Sequence, residues 1–246
     1  MENKGIERWY RFFGKGWTEV LIEFLDSPEF TAIGDYLTKE RKSKKIVSPA
    51  LVDIFRAFKE CTWSNLNTVI MGIEPYVTKV DNRRFTADGL AFSAKFASKM
   101  PHELIKFYEA IDEEIYQGDG IHLGVKTDLS FLANQGVLLL NSSLTSVIGE
   151  ERGHHIFLWN RFIEVILRKI NEKKDRIGFI LMGDKPSSYK NLLTNESFHV
   201  QTCEHPVEAK YRGSRRWNSR DCFKALDAWH RTFNNIKIKW CEEEVG

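Results

Sequence analysis

The chain of 246 residues contains no stretch approaching the roughly 18 to 20 consecutive apolar residues of a membrane span. Its opening, MENKGIERWYRFFGKGW, lacks the apolar core of a secretory signal, so a cytoplasmic protein without membrane attachment is expected. Cysteine is scarce: Cys61, Cys203, Cys222 and Cys241 stand far apart with no C-x-x-C pair, which argues against a zinc cage or a disulfide framework and for reduced thiols. The histidines lack ligand spacing, and neither a Walker nor a dinucleotide-binding glycine pattern occurs. No metal, nucleotide or redox cofactor is therefore expected. No linker-like composition interrupts the chain, and a single domain over residues 1–246, acting as a monomer, is the simplest organisation.

What is present is the composition of a folded protein, with 42% hydrophobic and 28% charged residues. The net charge of +2 is uninformative, because binding to a polyanion depends on how charge is distributed. Residues 210–224, KYRGSRRWNSRDCFK, set Lys210, Arg212, Arg215, Arg216, Arg220 and Lys224 against Asp221 alone. Basic residues interleaved with Tyr211, Trp217 and Phe223 suit a phosphate backbone, although charge alone favours a solvated helix face. KERKSKK at 39–45 reads as a solvated loop.

Four apolar runs have strand length: NTVIMGI (67–73), GVLLLNSSL (136–144), IGFILMG (177–183) and FHVQTCE (198–204). Segments of helical period lie between them, notably MPHELIKFYEAIDEEI, HIFLWNRFIEVILRKINEK and PSSYKNLL. WTEVLIEFLDSPEF and SPALVDIFRAFKE read as helices before the first strand, and CFKALDAWHRTF as one after the last. Near-continuous apolar strands alternating with helices predict an α/β fold, a central four-stranded parallel sheet with helices on both faces.

Ligands of such sheets bind beyond the carboxyl ends of the strands. There the chain carries Glu74 and Tyr76 after the first strand, Asn141 after the second, Gly183-Asp184-Lys185 after the third and His205 after the fourth. Each has an ordinary structural reading, as helix cap, turn residue or loop histidine. Their convergence on one edge points instead to a site.

The same residues carry a resemblance. GIEPYV (72–77), GLAFS (89–93), QGVLLLNSSLT (135–145), MGDK (182–185) and EHPVEAK (204–210) resemble, in order and spacing, the motifs of family-1 uracil-DNA glycosylases. Those motifs read G-Q-D-P-Y-H, G-L-A-F-S, L-L-L-N-x-x-L-T, a glycine-serine loop and H-P-S-P-L-S. YRGSRRWNSRDCF resembles the family's downstream R-G…F pattern, so the likeness covers nearly the whole chain.

The resemblance implies a uracil-DNA glycosylase-like fold, DNA as partner, and hydrolysis of an N-glycosidic bond by an enzyme without cofactor. Glu74 takes the place of the water-orienting aspartate, and His205 that of the donor to the departing base. His154 is placed like a histidine behind the water, with adjacent His155 as the alternative. Phe92 resembles the ring that stacks on a flipped base, Asn141 the amide that reads its edge, and Tyr76 the ring that excludes a 5-substituent; Ile73 stands where the motif has glutamine. Lys185, Lys210, Arg212, Arg215 and Arg216 are the candidate DNA contacts.

The rim departs from the family pattern. Val77 replaces a histidine, Glu103 and Asp184 stand near phosphate-pinching serines, and Glu208 and Ala209 interrupt the last motif where a leucine wedge is expected. Acids repel phosphates but accept hydrogen bonds from hydroxyls. The expected substrate is uracil or a modified pyrimidine, such as glucosylated hydroxymethylcytosine in phage DNA, in base-excision repair or anti-phage defence; Tyr76 and Asn141 support the first and the altered rim the second. The alternative is a catalytically inactive relative that binds DNA or protein. No lysine stands in an identifiable lyase position, so the product would be a simple abasic site.

Overall fold

The structure, a computed structural model, describes residues 5–118, 126–208 and 217–241. Each predicted strand run forms a strand, trimmed by its polar or glycine ends. They are β2 (Thr68–Gly72), β3 (Val137–Asn141), β5 (Gly178–Met182) and β6 (His199–Cys203). Together they make one parallel sheet in the order β3-β2-β5-β6. Val69, Ile70, Met71, Leu138, Leu139, Leu140, Phe179, Ile180 and Leu181 have no solvent exposure, as a strand covered on both faces requires. Two short strands, β1 (Val47–Ser48) and β4 (Ser146–Val147), pair antiparallel beside the sheet.

The helical layers follow from amphipathic segments too apolar on one face to stay in water. Helices α1 (Glu7–Leu25), α3 (Arg56–Glu60) and α6 (Ile156–Asn171) pack together, with α2 (Pro28–Lys42) against α1 and α6. Their seam is aromatic: Phe13 packs on Phe55, Phe58 and Phe162, and Trp17 on Phe58. In the other layer, α8 (Cys222–Phe233) lies on β5 and β6 and against α4 (His102–Ile115). Glu114 of α4 accepts the N–H groups of Phe223 and Lys224 at 2.9 and 3.1 Å and the Ser219 hydroxyl. It thus satisfies the otherwise orphaned donors at the start of α8. Short helices α5 (Ser130–Ala133) and α7 (Asp184–Ser188) complete the set.

Three local readings are corrected. WTEVLIEFLDSPEF is two helices, because Ser27 ends the first and caps the second, its Oγ accepting Phe30 N–H at 3.1 Å with Pro28 in the first helical position. SPALVDIFRAFKE is helical only in its last five residues. Residues 51–55 form turns packed so tightly on the 89–93 loop that a side chain at Gly89 would reach 1.8 Å from Asp53 O. KERKSKK begins as the last turn of α2 rather than as loop, its cations placed favourably at the carboxyl end of the helix dipole. Among the described residues no helix is long and apolar enough to cross a membrane.

Candidate active site

Because the four main strands are parallel and in register, with Gly72 beside Asn141 and Met182 beside Cys203, their carboxyl ends open onto one side. A cavity of about 450 Å³ lies there, and Ile73, Glu74, Tyr76, Val77, Phe92, Glu103, Asn141 and His205 all line it. The structure thus brings together residues spread over more than half the chain.

The floor is Phe92, held in the left-handed region at φ 66°. Such a conformation is uncommon for an aromatic residue and needs support from its neighbours. The Tyr76 hydroxyl donates to Phe92 O at 3.0 Å, and the Phe92 ring stacks with Phe107 and His205 at centroid distances of 5.4 and 5.6 Å. Burial pushes the Tyr76 phenol well above its ordinary pKa, with Glu103 and Asp88 adding to the shift, so it stays a neutral donor. Beneath the loop, buried Asp88 accepts Leu90 N–H at 3.2 Å, Ser93 Oγ–H at 2.7 Å and Lys95 N–H at 2.8 Å. The Arg56 guanidinium lies 3.1 Å from Asp88 and also grips Asp128 at 2.9 Å. Sequence reading missed this support, since nothing local marks Asp88 and Arg56 as partners.

Two glycines let the walls approach. A Cβ at Gly72 would lie 2.6 Å from Asn141 Oδ1 and 3.2 Å from the Phe92 ring. At Gly183, where φ is 99°, a Cβ would meet both His205 and Ile73 at 3.1 Å.

Glu74 leaves the end of β2 and accepts two hydrogen bonds on Oε2, from Gly153 N–H at 2.9 Å and Ser146 Oγ–H at 3.1 Å. Among the described residues Oε1 has no hydrogen-bond partner, so it remains an acceptor for water or substrate. Across the cavity, His205 Nδ1 accepts Val207 N–H at 3.3 Å, which places the ring proton on Nε2. Burial, with the nearby Arg152 charge, lowers the His205 pKa to about 3. His205 is therefore a neutral imidazole with a donor to offer.

Several expected site residues sit elsewhere. His154 does not line the cavity: its Nε2 lies 3.9 Å from Glu40 Oε2, and the alternative, His155, is wholly buried with Nε2 3.7 Å from the same oxygen. The loop turns both rings toward α2 and presents Arg152 to the cavity instead. Arg152 Nη2 stands 3.6 Å from Glu103 Oε1, so the acid at the rim faces a cation that sequence reading overlooked. Lys185 is also corrected: its ammonium donates to Asn160 Oδ1 at 2.5 Å and lies over the Tyr189 ring, turned toward α6 rather than outward. Asp184 is exposed in the first turn of α7, and Glu208 is half-buried, its N–H closing a turn onto His205 O at 2.9 Å. Ala209, Lys210, Arg212, Arg215 and Arg216 lie outside the described residues.

A carboxylate and a neutral imidazole donor facing one cavity match a reaction that develops positive charge on one fragment and negative charge on the other. An amide with paired donor and acceptor, beside an aromatic floor, suits a planar heterocycle.

No protein-family model matches the chain. It is 33% identical over 190 residues to a uracil-DNA glycosylase of Coxiella burnetii, covering 77% of this chain and 79% of that protein. The uracil-DNA glycosylase of Anoxybacillus flavithermus is 29% identical over 229 residues, or 93% of this chain and 96% of the relative. Among solved structures, the mimivirus uracil-DNA glycosylase superposes with a TM-score of 0.81 at 18% identity, over 94% of this chain and 88% of that one. That likeness establishes the fold.

Proposed function

Since the chain belongs to the uracil-DNA glycosylase family, we propose that it is a monofunctional DNA glycosylase that hydrolyses the N-glycosidic bond of a flipped-out pyrimidine and leaves an abasic site. The observation that carries this reading is His205, held neutral with its proton on Nε2 in the same cavity as Glu74 and Asn141. A neutral donor stabilises an anionic leaving base without a full proton transfer, while the Glu74 carboxylate orients water and faces the oxocarbenium-like sugar. Phe92 would stack on the base and Asn141 would read its edge.

The substrate we favour is a pyrimidine bearing a polar 5-substituent, of which glucosylated hydroxymethylcytosine is the example. Besides the base-reading residues, the cavity is lined by Thr78, Lys79, Ser98, Lys99, Glu103 and Arg152, polar groups suited to hydroxyls. Asn141 reads cytosine or uracil according to which way its amide is turned. Excision of such a base would fill modified phage genomes with abasic sites, a means of defence. Uracil is the second reading, supported by Tyr76, which lines the cavity and resembles the ring that excludes a 5-substituent, and by the relatives' names. A single domain acting as a cytoplasmic monomer on DNA is part of the same proposal.

The test incubates purified protein with a labelled duplex carrying one uracil and, in parallel, with DNA containing glucosylated hydroxymethylcytosine, followed by alkaline cleavage. Strand breaks in the modified DNA are expected. Breaks at uracil alone would make this a repair enzyme with an altered rim. No breaks in either, with DNA binding intact, would favour the inactive binding relative.

A further inference from the structure

Outside the cavity, three ligand-type side chains from two separate elements aim at one point. Glu40 projects from the end of α2, and His154 and His155 from the loop that leads into α6. Glu40 Oε2 lies 3.9 Å from His154 Nε2 and 3.7 Å from His155 Nε2, and the three atoms fall within 4.8 Å of one another. Each is sealed from solvent, and none has a hydrogen-bond partner. Polar atoms buried in that way carry a desolvation cost, so a group of three calls for an occupant.

The spacing, the donor types and the charge agree on what it is. The separations are too long for direct hydrogen bonds. Four ligands at zinc bond lengths of about 2.0–2.1 Å stand roughly 3.4 Å apart, so small side-chain movements bring these atoms into coordination. Two imidazole nitrogens and a carboxylate oxygen suit zinc and its neighbours rather than calcium or magnesium. The other Glu40 oxygen, Oε1, is engaged by Lys45 Nζ at 3.3 Å, which also pairs with Glu150 at 3.1 Å. Two carboxylates against one ammonium leave the cluster with a negative charge for a cation to offset.

The surroundings of His155 fit the role of ligand. Its Nδ1 is 2.8 Å from Thr145 Oγ1, which also accepts Trp159 Nε1–H at 2.7 Å. With a metal on Nε2, the ring proton moves to Nδ1 and donates to that hydroxyl oxygen, whose two lone pairs take both donors. Such an outer hydrogen bond is the usual means of orienting a histidine ligand.

We propose that Glu40, His154 and His155 form a zinc-type transition-metal site, with the fourth position taken by water, that clamps the loop before α6 onto α2. The loop is the one that serves Glu74, because Gly153, the donor to Glu74 Oε2, directly precedes His154. The metal is structural, holding a positioning contact, and takes no part in bond cleavage.

The test uses the full chain, freed of any affinity tag and stripped with a chelator, titrated with zinc ion by calorimetry and followed by thermal melting. One ion per chain, a dissociation constant in the micromolar range or tighter, and a melting temperature raised by several degrees are expected. Glu40→Gln and His154→Ala should each weaken binding about tenfold or more and remove the thermal shift, while His102→Ala should change neither. No binding at 100-fold excess of zinc over protein would overturn the proposal. Binding that survives unchanged in Glu40→Gln and His154→Ala would overturn it too, because the ion would then be held elsewhere on the chain.

Discussion

The Glu74 carboxylate accepts the backbone N–H of Gly153 at 2.9 Å, joining the end of β2 to a loop nearly eighty positions along the chain. A glutamate at this position is thus oriented by a backbone donor, and its length is matched to that donor's place. Glu74→Gln is expected to reduce single-turnover excision by a hundredfold or more and to leave DNA affinity within about twofold. Glu74→Asp pulls the carboxylate back by about 1 Å, for which a loss on the order of a hundredfold is expected. An unchanged rate in both would remove Glu74 from the chemistry.

His205 is expected to stay neutral throughout the working range. With a pKa near 3 and Nδ1 engaged by Val207 N–H, its nitrogen resonances should report an Nε2–H tautomer from pH 8 down to about pH 4. His205→Ala should cost about 10²–10³ in kcat, the usual loss of one preorganised donor. A ring titrating near 6.5 would sink this assignment.

The buried histidines also set how stability depends on pH. His205 and His230 have folded pKa values of about 3 and about 4 against an ordinary value of 6.5, both lowered mainly by burial. His230 is held neutral between Thr68 at 2.7 Å and Asn234 at 3.0 Å. A depressed folded pKa means that the unfolded chain takes up the proton first. The stabilisation is complete above about pH 6.5 and is lost progressively as pH falls toward 4 and then 3. Urea unfolding should show a midpoint that is level above pH 7 and drops below 6.5, with a shallower drop in His230→Gln.

Gly72→Ala places a methyl 2.6 Å from Asn141 Oδ1 and against the Phe92 ring. Because the clash falls on the base-reading amide at the rim of the core, affinity for the substrate duplex should fall at least tenfold. A fold left within a few degrees in melting temperature would show that the effect belongs to the site.

The rim pair offers a test of specificity. Glu103 and Arg152 are 3.6 Å apart with Arg152 half-exposed, so the pair adds little to stability, about 0–1 kcal/mol. Glu103→Ser removes a negative charge from the mouth of the cavity. Affinity for any duplex should then rise a few-fold at low salt, while excision of a hydroxyl-bearing base should fall relative to uracil. An unchanged ratio between the two substrates would place the discrimination elsewhere.

Local sequence determined the strands, most of the helices and which residues stand at the strand ends. Apolar runs such as TVIM and VLLL can only be buried on both faces, and in a parallel sheet that brings every strand's carboxyl end to one side. Glu74, Asn141 and His205 were therefore legible as neighbours before any coordinate was known. The direction of loop side chains was decided only by tertiary structure. His154 and Arg152 differ by two positions in one loop, yet one turns to Glu40 and the other to the cavity, because packing on α2 orients the loop. Lys185 turns toward α6, where its ammonium meets Asn160, a residue distant in sequence, as well as the ring of Tyr189 one helical turn ahead. The Arg56–Asp88 support and the Glu40–His154–His155 cluster likewise join residues distant in sequence, and periodicity carries no record of such meetings.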